Sequence, residues 1–339
     1  MGVDLSDILI KHPTTMREQQ GRKLSIDAYN IMYQFLSSIR QPDGTPLLDS
    51  NGNVTSHLSG LFYRTVNMVE AGIKPVYVFD GKPSELKDRT IEARRLMKEK
   101  TRIELEAAIE AGNEERARSL SSRINYITHE MVEESKELLS YMGIPWIQAP
   151  SEGEAQASVM SRDNIVDGVV SQDYDCLLFG ARLVLRNLTL MGKRKLPGRN
   201  IYVNVSPEYV DLQENLRALG ITRDQLIEIG IMIGTDFNAG LDRVGAKTAL
   251  NLIRRHGSIR EILRARDESI DNLDEILELF RNPPHVDVQS IAFSRPDVDA
   301  VREFLCERHS FSPSRVDPYL QNLVEITKSQ SQSNLDSFL

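Results

Sequence analysis

Two aspartates, Asp173 and Asp175, close the stretch Gly168-Val169-Val170-Ser171-Gln172-Asp173-Tyr174-Asp175. The apolar run before them reads as a buried strand. A strand cannot bury two carboxylates without partners, because an unpaired buried charge is very costly. The pair therefore belongs at the strand's exit, in a crevice where something cationic meets it. Two further apolar runs end the same way: Lys23-Leu24-Ser25-Ile26 runs into Asp27, and Pro75-Val76-Tyr77-Val78-Phe79 runs into Asp80. Three strands that each release an acid predict one parallel sheet with carboxylates gathered along its carboxyl edge, where open α/β sheets place their ligands. With only 6 histidines and 2 cysteines in the chain, the acids favour a hard cation on oxygen ligands, chiefly Mg²⁺ or Mn²⁺. Glu152 and Glu154 add two carboxylates at a predicted helix start. Ser151 and Glu154 also fit a capping box, which accounts for Glu154 structurally but leaves Glu152 and Gly153 without a reason.

The elements that must position these acids can be read from the punctuation of the chain. Residues 3–80 read as an α/β unit, with a helical stretch near Ala28–Ile39 and turns at Pro42-Asp43-Gly44 and Asp49-Ser50-Asn51-Gly52, the second suited to a hairpin tip. Ser59–Ala71 has helical spacing, and Gly72 stops it. Residues 82–143 are long, polar and helical, broken at Gly112-Asn113. From Lys82 to Arg102 there are eight basic and four acidic residues. Such a run is either a solvated helix laced by i, i+4 ion pairs or an element over the site that grips phosphates. Its start straight after Asp80 favours the phosphate reading. Arg186–Arg199 holds Arg186, Lys193, Arg194, Lys195 and Arg199 and no acid, and reads as a basic loop or hairpin, solvated or on phosphate. Leu226–Ile233 is an apolar helix ending at Gly234-Thr235-Asp236. From Gly240 to Gly257 come a turn, a helix and a Gly stop, where amides near Gly245 could hold a phosphate, with Lys247, Arg254 and Arg255 downstream. Residues 260–327 read as helical, with a loop at Asn282-Pro283-Pro284. From Lys328 the chain is polar, low in complexity and expected to be mobile, yet it ends in apolar residues that need a partner.

Bulk composition sets bounds. The 339 residues suffice for one large or two ordinary domains, and 27% charged and 40% hydrophobic residues suit a soluble globular protein. Cys176 and Cys306 are distant and form no CxxC, so they read as free thiols in a reducing, intracellular setting. No apolar stretch is long enough to span a membrane, and no signal-peptide core is seen at the start. Met1-Gly2-Val3-Asp4-Leu5-Ser6 fits the loose myristoylation pattern, which chance often produces. The net charge of −8 argues against simple non-specific nucleic-acid binding, although acids in a metal site lower the sum without describing the binding faces.

With these residues in view, the chain resembles the flap endonucleases, structure-specific 5′ nucleases of archaeal and eukaryotic type. The resemblance runs end to end: Met1-Gly2-Val3, Ser25-Ile26-Asp27-Ala28, residues 55–65, Pro75–Pro83, Ala149–Ala157, Ser171–Asp175, Arg194–Gly198 and Gly234-Thr235-Asp236. It implies an α/β fold: a central, mostly parallel sheet flanked by helices, a helical arch insertion and a helix–two-turn–helix DNA-binding element. The corresponding divisions are an N-terminal nuclease region, 1–105, an internal nuclease region, 106–260, with the helix–two-turn–helix near 225–257, a C-terminal helical part of the same core, 261–327, and a flexible clamp-binding tail, 328–339.

The resemblance implies seven metal-site carboxylates, Asp27, Asp80, Glu152, Glu154, Asp173, Asp175 and Asp236, holding two Mg²⁺, with Mn²⁺ as a substitute. It gives Lys87 and Arg94 the scissile phosphate, Tyr33 a stacking role and Gly2 a place near the metals. Gly234, Arg194, Lys195, Gly245 and Lys247 are expected on DNA, with K⁺ at the helix–two-turn–helix. Gln332, Leu335, Phe338 and Leu339 resemble a box for the sliding clamp (PCNA). The implied substrate is branched DNA with a 5′ flap, cut in replication and repair, with 5′–3′ exonuclease activity, by a monomer that is cytoplasmic if archaeal and nuclear if eukaryotic. Two positions depart from the pattern: Arg243 stands where the hairpin usually has Gly, and Leu339 replaces the second aromatic of the clamp box. Competing readings are a related 5′ exonuclease or junction resolvase, and a non-catalytic scaffold recruited by the clamp.

Overall fold

The computed structural model describes residues 2–41, 44–113, 116, 120, 126–189, 192–195 and 202–336, with backbone alone at 88, 89, 91, 93, 94, 98, 192–195, 202–204 and 329–336. In chain order the strands are β1 (His12–Pro13), β2 (Lys23–Asp27), β3 (Lys74–Phe79), β4 (Trp146–Gln148), β5 (Gly168–Val170), β6 (Leu183–Arg186), β7 (Gly192–Lys195), β8 (Tyr202–Val205) and β9 (Glu208–Asp211). The α-helices are α1 (Ala28–Ser38), α2 (Ser56–Glu70), α3 (Asp88–Glu110), α4 (His129–Tyr141), α5 (Gly153–Arg162), α6 (Asp175–Leu178), α7 (Leu212–Leu219), α8 (Arg223–Ile233), α9 (Ala246–His256), α10 (Ile259–Arg266), α11 (Leu273–Arg281), α12 (Val298–Arg302) and α13 (Pro313–Asp336).

Seven strands form a central sheet in the order β1-β9-β6-β5-β2-β3-β4, and β7 and β8 form a separate hairpin. β2, β5 and β6 run parallel, with Ile26 opposite Val170 and Val170 opposite Leu185. β9 is antiparallel to β6, and β1 antiparallel to β9. The central strands are nearly continuous apolar runs because helices cover both faces of a parallel sheet. Leu24, Ile26, Val76, Val78, Val169 and Val184 are all buried. The register brings the carboxyl ends of β2 and β5 level, so the residues after each strand emerge on one edge.

The chain divides into two compact units, each assembled from three stretches: 1–27, 78–91 and 148–290 form the first, and 28–77, 92–147 and 291–339 the second. In the first, α8 is apolar almost all round, with Leu226, Ile227, Ile229, Ile231 and Met232 buried. Phe280 of α11 packs on Phe179 and Phe237, with centroids 4.8 and 5.5 Å apart. In the second, Phe62 and Tyr63 of α2 meet Tyr319 of α13, and the buried Tyr77 hydroxyl shares a 2.6 Å hydrogen bond with Thr65. The expected hairpin tip at Asp49–Gly52 is present: Leu48 bridges Val54, and the Asp49 carboxylate accepts from the Asn51 and Asn53 amides.

One helix start differs from what its residues suggest. The capping box expected between Ser151 and Glu154 does not form, because α5 begins one residue later than that box requires, with Glu152 at the N-cap and no side-chain cap bond. The Gly153 amide instead donates to Asp80 Oδ1 at 2.6 Å. A full capping box opens α8, between Thr222 and Gln225. Among its described side chains, α3 carries exposed Leu96, Met97, Ile103 and Ile109. Ion pairs on its surface, Arg95 with Glu92 and Arg102 with Glu99 and Glu106, support it locally. The backbone of α13 continues through Asp336, beyond Lys328 where the polar tail begins.

Candidate metal centre

The first unit gathers the predicted carboxylates where the strands end. Asp27 is the last residue of β2, and Asp80 comes directly after β3. Glu152 is the N-cap of α5 and Glu154 lies in its first turn. Asp173 sits between β5 and α6, Asp175 opens α6, and Asp236 lies in the turn after α8. Asp27 and Asp175 are each only 4% exposed; the other five keep partial access to solvent.

Backbone amides hold Asp173 and Asp175. Gly2 N–H donates to Asp173 Oδ1 at 3.2 Å, and Val3 N–H to Asp175 Oδ1 at 2.7 Å. A Cβ on Gly2 would lie 2.9 Å from the Asp173 Cβ, so the N-terminal segment can approach this closely only as glycine. Gly153 has the same role beside Asp80, where a Cβ would stand 2.6 Å from Oδ1.

The acids feel one another. Burial, and then repulsion from Glu152, push the Asp80 carboxyl up to about 6 against the pull of the Gly153 amide and Lys87. Burial, with repulsion from Asp173 and Asp236, raises Asp175 to about 7, although the Val3 amide opposes the rise. Glu154 is held well above the usual carboxylate range by burial and by Asp173, Asp27 and Asp175. These links form two groups, Asp80 with Glu152 and Asp27 with Glu154, Asp173, Asp175 and Asp236, and Lys87, which faces Glu152, Glu154 and Asp236, joins them into one set. Lys87 is the cation within it: its ammonium bonds Glu152 and lies 3.4 Å from Asp236. Burial works against that charge, but Glu152, Glu154 and Asp236 hold the Lys87 pKa above its ordinary value. Its Nζ also stands 5.3 Å from the centroid of Phe237, and the Thr90 hydroxyl donates to the Asp236 carbonyl at 2.7 Å.

An all-oxygen donor set in which Asp80, Glu154 and Asp175 resist ionising fits hard divalent cations. Among the described residues no three His, Cys, Asp or Glu side chains are already closed around one point.

The remaining predicted residues are spread over both units. Arg94 lies on α3 and Tyr33 on α1, both in the second unit; Tyr33 is 40% exposed, and the Arg94 side chain is among those not described. Gly234 takes φ +108° after α8, Gly240 takes φ +77°, and Gly245 is the N-cap of α9. Lys247 is exposed and pairs with Asp7 at 3.4 Å. Arg243, where a glycine is usual, does adopt a left-handed φ of 58°. Its side chain is 92% exposed and lies 3.5 Å from the exposed Asp242 carboxylate, a solvated pair that contributes little to holding it there. Arg194 and Lys195 belong to the β7–β8 hairpin, their side chains undescribed. Gln332 and Leu335 lie on the α13 backbone; Phe338, Leu339, Pro42-Asp43, Pro197-Gly198 and Arg199 lie outside the described residues. Arg186 is not part of a basic loop: it ends β6 and bonds Glu208 at 2.7 Å. Sequence reasoning missed the Val3 amide and the Asp80–Gly153 contact, since backbone donors leave no residue-type signal.

Known proteins resemble the chain along its whole length. Residues 1–101 match the XPG N-terminal domain and residues 143–236 the XPG I-region, which together bracket six of the seven acids and end on the last. Flap endonuclease 1 of Picrophilus torridus is 57% identical over the whole of both chains. That of Aeropyrum pernix is 50% identical over 99% of each. The structure of flap endonuclease-1 from Methanococcus jannaschii superposes with a TM-score of 0.77 at 39% identity, covering 97% of this chain and 100% of that one. The chain belongs to the flap endonuclease family of XPG-type nucleases. Among the described residues no helix is long and apolar enough to cross a membrane.

Proposed function

We propose that this chain is a Mg²⁺-dependent, structure-specific 5′ endonuclease that removes 5′ flaps from branched duplex DNA. The observation that carries the chemistry is the set of seven carboxylates of the first unit, gathered about Lys87, in which burial and neighbouring acids push Asp80, Glu154 and Asp175 up. Two Mg²⁺ ions, or Mn²⁺ in their place, would supply Lewis-acid activation of water and neutralise charge at phosphorus. Asp173, Asp175, Asp27 and Asp80 would hold them most directly, with Glu152, Glu154 and Asp236 completing the charge from further out. Lys87 turns from its carboxylate partners toward the scissile phosphate and, with Arg94, meets negative charge that grows as the phosphodiester bond breaks.

Specificity on this reading lies in shape and backbone contact, not base reading. The α8–α9 element holds the duplex backbone through the turn at Gly234 and the amides at Gly245, with Lys247 adding charge and K⁺ on main-chain carbonyls. Arg194 and Lys195 contact phosphate, and Tyr33 stacks on a base near the cut. The α3 helix forms part of an arch that receives the single strand. Gln332, Leu335, Phe338 and Leu339 dock on a sliding clamp, with reduced affinity because Leu339 lacks an aromatic ring. The same core could instead serve a neighbouring exonuclease or junction resolvase. Turnover of 5′-flap, nicked and four-way-junction duplexes in Mg²⁺ separates these: the flap should be cut at its base at least about tenfold faster than the others. A four-way junction cut as fast as the flap would reassign the substrate while leaving the metal chemistry in place.

A further inference from the structure

Arg186 does not serve the role its sequence context suggests. Its register partner across the sheet is Glu208 of β9, and its side chain is 21% exposed. Nη1 donates to Glu208 Oε1 at 2.7 Å and also to the Tyr174 hydroxyl. Nε donates to the Gln172 carbonyl at 3.1 Å, and the guanidinium carbon stands 4.2 Å from the Tyr174 ring centroid. Tyr174 itself is 4% exposed. Gln172 and Tyr174 are the two residues that flank Asp173, and Tyr174 precedes Asp175.

This matters because the segment between β5 and α6 has left the ladder. The Ser171 amide still donates to the Leu185 carbonyl at 3.2 Å, and the Asp173 amide to the Ser171 hydroxyl at 3.2 Å. The Gln172 carbonyl shares one rigid peptide plane with the Asp173 amide, so a donor on that oxygen fixes the plane from which Asp173 departs. The same guanidinium grips the Tyr174 ring on the other side of Asp173. Planar, multidentate contact of this kind is something Arg can make and Lys cannot.

We propose that Arg186 is a positioning residue for Asp173 and Asp175, oriented in turn by Glu208. The proposal rests on the reading of that pair as metal ligands. Arg186 touches neither substrate nor metal; it sets the backbone from which both carboxylates project. Outer partners of metal ligands typically govern affinity or rate by about 10–100-fold.

The test compares Arg186→Gln, Arg186→Lys, Tyr174→Phe and Glu208→Gln with wild type and Asp173→Ala. Mn²⁺ binding to the DNA-free protein is measured by electron paramagnetic resonance, alongside flap-duplex affinity in EDTA, the single-turnover rate in Mg²⁺, and Tm. Arg186→Gln should weaken Mn²⁺ binding by roughly tenfold or more and slow the single-turnover step by a similar factor, with DNA affinity within about twofold of wild type. Arg186→Lys should fall between, and Tyr174→Phe, which keeps the ring, should lose least. Should Arg186→Gln fail to fold, Glu208→Gln frees the guanidinium and should shift Mn²⁺ affinity in the same direction by less. A lowered Tm with unchanged Mn²⁺ affinity and rate would make Arg186 merely structural and overturn the proposal. A loss of DNA affinity matching the loss of rate would make it a phosphate ligand and overturn it too. If Asp173→Ala binds Mn²⁺ as well as wild type does, the metal reading itself fails and takes this one with it.

Discussion

Replacing Asp175 by Asn should stabilise the metal-free fold and disable it for metal. Asp175 is 4% exposed, and its Oδ1 accepts the Val3 amide at 2.7 Å. Asn keeps the size and an accepting oxygen for that bond, so the substitution removes mainly the charge. The folded carboxyl titrates at about 7 against an ordinary 3.8, which at about 1.4 kcal/mol per tenfold change in proton affinity is a cost of about 4 kcal/mol once the group is ionised. A raised carboxyl pKa means that the native state binds the proton more tightly than the unfolded chain. Wild-type stability therefore falls as pH rises from about 4 to about 7 and levels off above. Asp175→Asn lacks that decline. In EDTA its advantage should be near zero at pH 4 and reach several kcal/mol at pH 8, read as urea unfolding midpoints across the pH range. Asp173 and Asp236 repel the same charge, so part of the relief appears as easier ionisation of those neighbours, and about 4 kcal/mol is an upper figure. Added Mn²⁺ should reverse the order at pH 8, because only wild type gains RT ln(1 + [L]/Kd), about 2.7 kcal/mol at a hundredfold excess over Kd. A gap in EDTA that is constant with pH, or of opposite sign at pH 8, would refute the reasoning.

Other substitutions probe separate contacts. Gly153→Ala places a Cβ 2.6 Å from Asp80 Oδ1; it should destabilise by about 1–3 kcal/mol and weaken Mn²⁺ binding, and an unchanged Mn²⁺ isotherm would show that Asp80 is not held by this approach. Lys87→Met should slow the single-turnover step by about 10²-fold or more with flap-duplex affinity within a few-fold; an equal loss of affinity would make Lys87 a binding group alone. Arg243→Gly relieves a left-handed φ of 58° at an exposed side chain and should raise stability by up to about 1 kcal/mol. A fall in Tm would mean that Arg243 makes a contact worth more than the strain.

The site was legible because strand ends write themselves in composition. A buried parallel strand is a short apolar run, and Asp27, Asp80 and Asp173 each stand at the end of one or just past it. The parallel register of β2 and β5 then put Asp27 and the residues after Val170 level without any further choice. Glu152 and Glu154 were visible as unexplained acids, but the capping box that Ser151 offered was misleading: Asp80, distant in sequence, supplies the carboxylate that the Gly153 amide takes. Such a long-range bond has no local spacing to betray it. The same holds for the Gly2 and Val3 amides, which reach acids more than 170 residues away. Arg186 looked like the first of a basic run, because its cross-strand partner Glu208 becomes its neighbour only through the β6–β9 register. Nor does local pattern show that each compact unit is assembled from three separate stretches, since long-range packing decides that.

The central claim is that the carboxylate set drives metal-dependent hydrolysis at the base of a 5′ flap. Cleavage of a 5′-labelled double-flap duplex by the full chain in Mg²⁺ tests it most directly, with EDTA and Asp173→Ala as controls. The expected result is one cut at the flap base that EDTA abolishes, and that Asp173→Ala loses while still binding the duplex. Cleavage that persists in EDTA or in Asp173→Ala would contradict it.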